Sequence, residues 1–275
     1  MLEIDETFTS MDEWLAYAAS NPEVYQASAA ERIGHRILAQ GFAEPHSGRE
    51  IQPLDIAAPS GNWREELSHA GLNSRLRAVL ALIAEAVADR PREAVRIYAP
   101  EAVTAFAAAA ASAWPGYVGS EYLPTPADRA RFPGVMHQDL AALSFPDEAF
   151  DIVATNEVLE HVPVLDRALA EIHRVLKPGG SHIGTHPFRF LARENEVRAR
   201  LEGGRIVHLM EAERHGNPTD PDGGSLVFQT PGWEILDQCR AAGFGEAVMR
   251  FYASERHGCL TENLGVFVLC ARKAS

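Results

Sequence analysis

Apolar positions follow two different periods along this chain, and the change falls near residue 94. Before it, Met11, Trp14, Leu15 and Ala18 fall on one helical face, and Ile33, Ile37 and Leu38 on another. Asn21-Pro22 between them predicts a helix stop and restart. A stretch rich in Pro, Gly and Ser from Gly41 to Gly61 predicts a loop. Leu72, Leu76, Val79, Leu80 and Ile83 then make an amphipathic helix leading to Pro91. After residue 94, short apolar runs alternate with helical stretches. AVRIYA (94–99), YVGSEY (117–122), VMHQD (135–139), FDIVATN (150–156), SHIGTH (181–186), AVMRFY (247–252) and GVFVLCA (265–271) are expected strands. The clearest intervening helix is 165–176, where Leu165, Leu169, Ile172, Val175 and Leu176 recur every three or four residues. Such alternation predicts an α/β fold with a doubly wound, mostly parallel, seven-stranded sheet. The last two strands are expected to pair as an antiparallel hairpin. Residues 1–90 are expected to form a helical N-terminal extension or cap, and 91–275 the main domain.

Composition narrows the class. Apolar residues are 46% and charged residues 23%, as in ordinary globular proteins. A formal net charge of −13 repels a phosphate backbone and an anionic membrane surface, so neither nucleic acid nor membrane is an expected partner. The local cluster Arg193, Arg198, Arg200 and Arg205 is interspersed with Glu194, Glu196 and Glu202 and is read as a solvated face. Cys239, Cys259 and Cys270 are too few for a disulfide scaffold or a paired-cysteine metal site, which fits a reduced cytoplasm. The first twenty residues are acidic and lack the basic and apolar regions of a signal peptide.

In open α/β sheets a ligand sits at the carboxyl ends of the strands. Glu121 ends the second expected strand, where a carboxylate can accept from both hydroxyls of a ribose, and Asp139 ends the third, where one can accept from an exocyclic amine. Taken singly, either could equally be a helix cap or a solvated turn residue. The run from Gln138 to Gly180, QDLAALSFPDEAFDIVATNEVLEHVPVLDRALAEIHRVLKPGG, joins that acidic residue to an L-x-F-P-D-x-x-F-D stretch (Leu143 to Asp151), a VLEHV loop (Val158 to Val162) and RVLKPGG (Arg174 to Gly180). It resembles the class I S-adenosylmethionine (SAM)-dependent methyltransferases of the type 11 group, and the likeness extends over about residues 94–186. The resemblance implies SAM as cofactor and methyl transfer to an oxygen or nitrogen of a small-molecule acceptor. It also implies that Glu121, with Tyr122 beside it, holds the ribose, that Asp139 and Leu140 meet the adenine edge, and that Asn156 and Glu157 border the methionine moiety.

One departure stands out. The family's glycine-rich loop after the first strand matches Ala99, Glu101 and Val103 in IYAPEAVTAF. Valine does not readily take positive φ, so the loop must turn differently. Pro100 at the first helical position with Glu101 in the first turn would make a reasonable helix start, and Glu101 would face the cofactor's ammonium. The missing glycines also admit a catalytically silent relative serving as a partner or regulatory protein. A nicotinamide-dependent oxidoreductase fits the acid after strand two but lacks G-x-G-x-x-G.

For chemistry, His186, just past the fifth strand, is the first candidate to take an acceptor proton, and His161 in the VLEHV loop the second. Arg64, Arg75 and Arg77 are candidates for the mouth of the site or plain solvated helix positions. An insertion at about 188–232 is expected to form a lid at the substrate end. Within it His208, Glu211, Glu213 and His215 match no metal-binding spacing, His46 and His69 are a sparse pair, and no metal is expected.

Overall fold

A computed structural model describes all 275 residues. Its centre is a seven-stranded sheet. The chain enters through β1 (Glu3–Phe8), α1 (Met11–Ser20), α2 (Ala27–Gln40) and α3 (Ser74–Ala86). It continues as β2 (Arg96–Ala99), α4 (Ala105–Ala113), β3 (Gly116–Gly119), β4 (Phe150–Asn156), α5 (Leu165–Val175) and β5 (Leu176–Thr185). After the insertion come α6 (Glu234–Ala241), β6 (Glu246–Ser254) and β7 (Val266–Arg272). The sheet order is β1-β6-β7-β5-β4-β2-β3. Strands β3, β2, β4 and β5 pair in parallel, while β7 is antiparallel to both β5 and β6, so β6 regains the common direction and five of the seven strands share it. The doubly wound sheet and the closing hairpin of β6 and β7 are as expected.

Period-two alternation builds one apolar core on each face. In β2, Ile97 joins the face covered by α3 and α4, and Tyr98 the face covered by α1, α2, α5 and α6. Strand β4 does the same with Ile152 and Val153, and all seven of its residues are buried. Helix α5 buries Leu165, Ala168, Leu169, Ile172 and Val175, the stripe its spacing predicts. Fully burying a side chain such as Leu169 or Ile172 contributes about 1.5–3 kcal/mol.

Two expectations are corrected. The run 135–139 forms no strand: it makes only isolated bridges, Glu121 to His137 and Asp139 to Ala142. The seventh strand comes instead from the start of the chain, where Glu3–Phe8 pairs antiparallel with β6. The first ninety residues are thus not purely helical, and Trp14, Val24, Ile33 and Trp63 share a core with Leu169 and Met249. The insertion, too, is built of ladders, with Glu196–Val197 on Gln229–Thr230, Ala199–Glu202 on Arg205–His208, and Arg214–His215 on Ser225–Leu226. No helix is long and apolar enough to cross a membrane.

Candidate functional site

The loop joining β2 to α4 replaces glycine freedom with side-chain hydrogen bonds. Helix α4 starts at Ala105, capped by Thr104, whose hydroxyl oxygen accepts from the Ala107 N–H at 3.1 Å. Pro100 and Glu101 therefore lie in the loop and not in the first helical turn, because Thr104 supplies the stronger N-cap. The Thr104 hydroxyl donates to Glu101 Oε2 (2.8 Å), and Asn156 Nδ2 donates to Glu101 Oε1 (2.7 Å). Burial pushes the Glu101 carboxyl up, against the pull of these two partners. Ala99 is fully buried, and no residue from 99 to 104 has positive φ. A glycine is still needed nearby: a Cβ on Gly119 of β3 would meet the Glu101 carbonyl oxygen at 2.5 Å.

Glu121 stands two residues beyond β3 and fastens this loop from the other side. Its Oε1 accepts from the N–H groups of Ala102 (2.8 Å) and Val103 (3.2 Å), while burial raises its pKa. Its second oxygen has no protein donor among the hydrogen bonds. Asp139 accepts from the Ala141 N–H through Oδ1 (2.9 Å). Leu140 is buried in the core, and Tyr122 is exposed against the His137 ring.

At the end of β4, Asn156 is buried, with Oδ1 unpartnered. Glu157 adopts the left-handed region, φ 53°, a conformation that non-glycine residues hold only when surroundings enforce it. Its N–H donates to the Thr185 carbonyl (2.9 Å), and its carboxylate accepts from Arg64 (2.8 Å). Arg75 stands 3.7 Å from the same carboxylate and donates to both oxygens of Glu65. Burial would push the Glu157 pKa up, but Arg75 and Arg64 outweigh it and hold it below the usual value. The segment before α3 thus covers this end of the sheet. Arg77 is different: it is fully buried, and its guanidinium donates to the carbonyls of Leu67, Leu72, His257 and Gly258.

His186 follows β5 and is also buried, with neither ring nitrogen partnered. Burial, then the charge of Arg64, lowers its pKa to about 3. His161 lies elsewhere, in the turn Leu159–His161, with Nδ1 2.9 Å from the Leu226 carbonyl and Nε2 3.5 Å from Glu160. His215 of the insertion faces Glu160 as well, at 3.6 Å through Nδ1, and its pKa is raised to about 9, chiefly by Glu160. Glu121, Glu101, Asn156 and Glu157 lie at or beyond the ends of β3, β2 and β4, with Glu121 and Asn156 both hydrogen-bonded to the 101–103 loop. Sequence reasoning missed Glu160 and left the roles of Arg64 and Arg75 open; no local pattern marks partners this far apart.

Residues 85–184 match the family model described as "Methyltransferase domain". An uncharacterized methyltransferase from Mycobacterium marinum is 31% identical over 147 residues, covering 50% of this chain and 57% of that protein. An arsenite methyltransferase from Aquipseudomonas alcaligenes is 37% identical over 128 residues, covering 42% and 34%. The chain thus spans about half the length, or less, of these curated relatives. Among solved structures, an S-adenosylmethionine dependent methyltransferase from Mesorhizobium loti aligns with TM-score 0.44 and 18% identity over 69% of this chain and 96% of that one. Residues 85–184, which hold the parallel strand ends and the VLEHV and RVLKPGG segments, thus match a methyltransferase domain.

Proposed function

We propose that this protein transfers a methyl group from SAM to an oxygen or nitrogen of a small-molecule acceptor. The observation carrying this reading is a set of buried polar atoms without partners at the carboxyl ends of two adjacent strands: Asn156 Oδ1, Thr185 Oγ1 and both nitrogens of His186. Asn156 and Thr185 are register partners in β4 and β5, so these atoms share one end of the sheet. Buried polar groups are nearly always paired in native proteins, and a group of orphans at the ligand-binding end of an α/β sheet fits a polar ligand.

The donor set suits SAM. The free oxygen of Glu121 would take the ribose hydroxyls, Asp139 the adenine amine, and Asn156 Oδ1 the ammonium, with Arg64 and Arg75 supplying positive charge for the carboxylate. Bound SAM would supply a methyl group on a sulfonium, ready for in-line displacement. The protein's part is then to align the acceptor and exclude water. An imidazole with a pKa near 3 is a poor base at neutral pH, so we assign His186 to hold the acceptor by a hydrogen bond and not to deprotonate it.

Calorimetry with SAM, followed by a mass-spectrometric screen of hydroxylated and amine acceptors, tests this. Saturable binding that Asp139→Ala weakens, together with a methylated product, is expected. No heat of binding would reject the reading in favour of a catalytically silent relative.

A further inference from the structure

The insertion is stitched to the turn after β4 around a polar cluster that SAM binding does not use. The Phe228 N–H donates to the Glu160 carbonyl (2.8 Å), and the His161 ring reaches the Leu226 carbonyl. Between these contacts lies the Glu160 side chain, fully buried, with neither carboxylate oxygen hydrogen-bonded. Two imidazole nitrogens face it, His161 Nε2 at 3.5 Å and His215 Nδ1 at 3.6 Å. One ligand atom from each of the three residues lies within 4.8 Å of the others.

These separations are long for hydrogen bonds and right for ligands sharing an ion. Metal–ligand bonds of about 2.0–2.2 Å set tetrahedral neighbours roughly 3.3–3.6 Å apart. The outer nitrogens agree. His161 Nδ1 lies 2.9 Å from the Leu226 carbonyl oxygen, a contact only an N–H can make. His215 Nε2 lies 3.1 Å from Glu213 Oε1, whose other oxygen is 3.1 Å from Arg198. With the outer nitrogens donating, the inner ones turn toward Glu160, the orientation of metal-bound histidines held by a carbonyl or carboxylate, and an ion binding there would displace the proton that His215 shares with Glu160.

We propose that Glu160, His161 and His215 bind one divalent transition-metal ion, for which zinc is the best match. Two imidazoles and one carboxylate suit borderline ions, and three protein ligands leave a position open. Its role rests on the methyltransferase reading above: the open position would take a hydroxyl oxygen of the acceptor and lower its pKa, so that the proton His186 is too weak a base to take passes to solvent water, while the oxygen forms the new bond to the methyl carbon and the sulfonium bond breaks to leave the neutral thioether. That narrows the acceptor class to hydroxylated compounds.

The test uses the full chain, stripped with chelator and titrated with cobalt(II) and then zinc(II), without SAM. We expect the visible absorption of a low-coordinate cobalt complex at one ion per chain, displaced by zinc, and a rise in melting temperature with either ion. His215→Ala, at a half-buried ladder position, and Glu160→Gln should each weaken binding at least tenfold, and Glu213→Gln about tenfold. Absence of the cobalt spectrum in the wild type, or equal affinity in His215→Ala, would overturn the proposal; the former would mark the three residues as a plain ion-paired cluster, and the latter would place the ion elsewhere. Binding is read without cofactor or acceptor. A chain that binds cobalt but methylates nothing would sink the transfer reading alone, and methylation without a cobalt spectrum would sink only the metal.

Discussion

Arg64 donates to Glu157 across ninety-three positions of sequence, at 2.8 Å, and so ties the N-terminal segment to the strained residue at the end of β4. Both side chains are mostly buried, and Arg75 competes for the same carboxylate. A double-mutant cycle of Arg64→Ala and Glu157→Ala, read by urea unfolding, should give a coupling energy of about 0.5–3 kcal/mol. Additive single effects would mean that the segment is held by its apolar contacts alone.

Glu121 has two tasks, and they are separable. Removing its carboxylate in Glu121→Ala unmakes two charge-assisted bonds to Ala102 and Val103. Amide hydrogen exchange at those two residues should quicken even without cofactor. SAM affinity should fall by about 10- to 100-fold, corresponding to roughly 1.5–3 kcal/mol for a bond to a charged group. Unchanged exchange combined with unchanged affinity would remove Glu121 from the site.

His186 should leave a signature in acid. Its folded pKa, about 3, lies below the ordinary value of 6.5, so the unfolded chain binds the extra proton between those limits. The stability it contributes is complete above pH 6.5 and is lost as the pH falls toward 3, at up to about 1.4 kcal/mol per pH unit. Urea unfolding at pH 7 and pH 5 should show a smaller loss in His186→Gln than in the wild type; identical losses would refute a neutral buried imidazole. With a substrate in hand, His186→Gln should keep most of the turnover that His186→Ala loses, since a hydrogen bond is what the side chain provides.

Arg77 carries the largest structural penalty. Burial lowers its pKa to about 10, which still leaves it charged at neutral pH, and its guanidinium satisfies four backbone carbonyls while lying 4.2 Å over Phe42. Arg77→Met keeps the stem but orphans those carbonyls, and should cost about 3–5 kcal/mol in urea unfolding. A loss below about 1 kcal/mol would mean that the carbonyls find other donors.

Legibility in the sequence followed how local the causes were. Strand β4 could be read to the residue because both faces are buried and its apolar run is continuous, and α5 because its stripe repeats without interruption. Strand β1 was missed. EIDETF is short and acidic, sits at a sheet edge, and becomes a strand only through β6, some 240 residues later. The run 135–139 was over-read because its apolar residues, Val135 and Met136, precede a turn that leaves only one bridge to Glu121. In the site, Glu121 could be singled out from its strand-end position, and Glu101, Asn156 and Glu157 from the family resemblance. The pairing of Glu160 and His161 with His215 was not, since about fifty residues, α5 and β5 among them, separate them and no spacing rule spans that distance.

The pairing of Glu3 with Ser254 also sets an order on synthesis. As the chain leaves a ribosome, β1 can dock only after β6, some 240 residues later, has been made. Until then β1 and its apolar Phe8 wait in the open, available to other chains. A chain that stops short of residue 246 would leave that strand without its sheet neighbour.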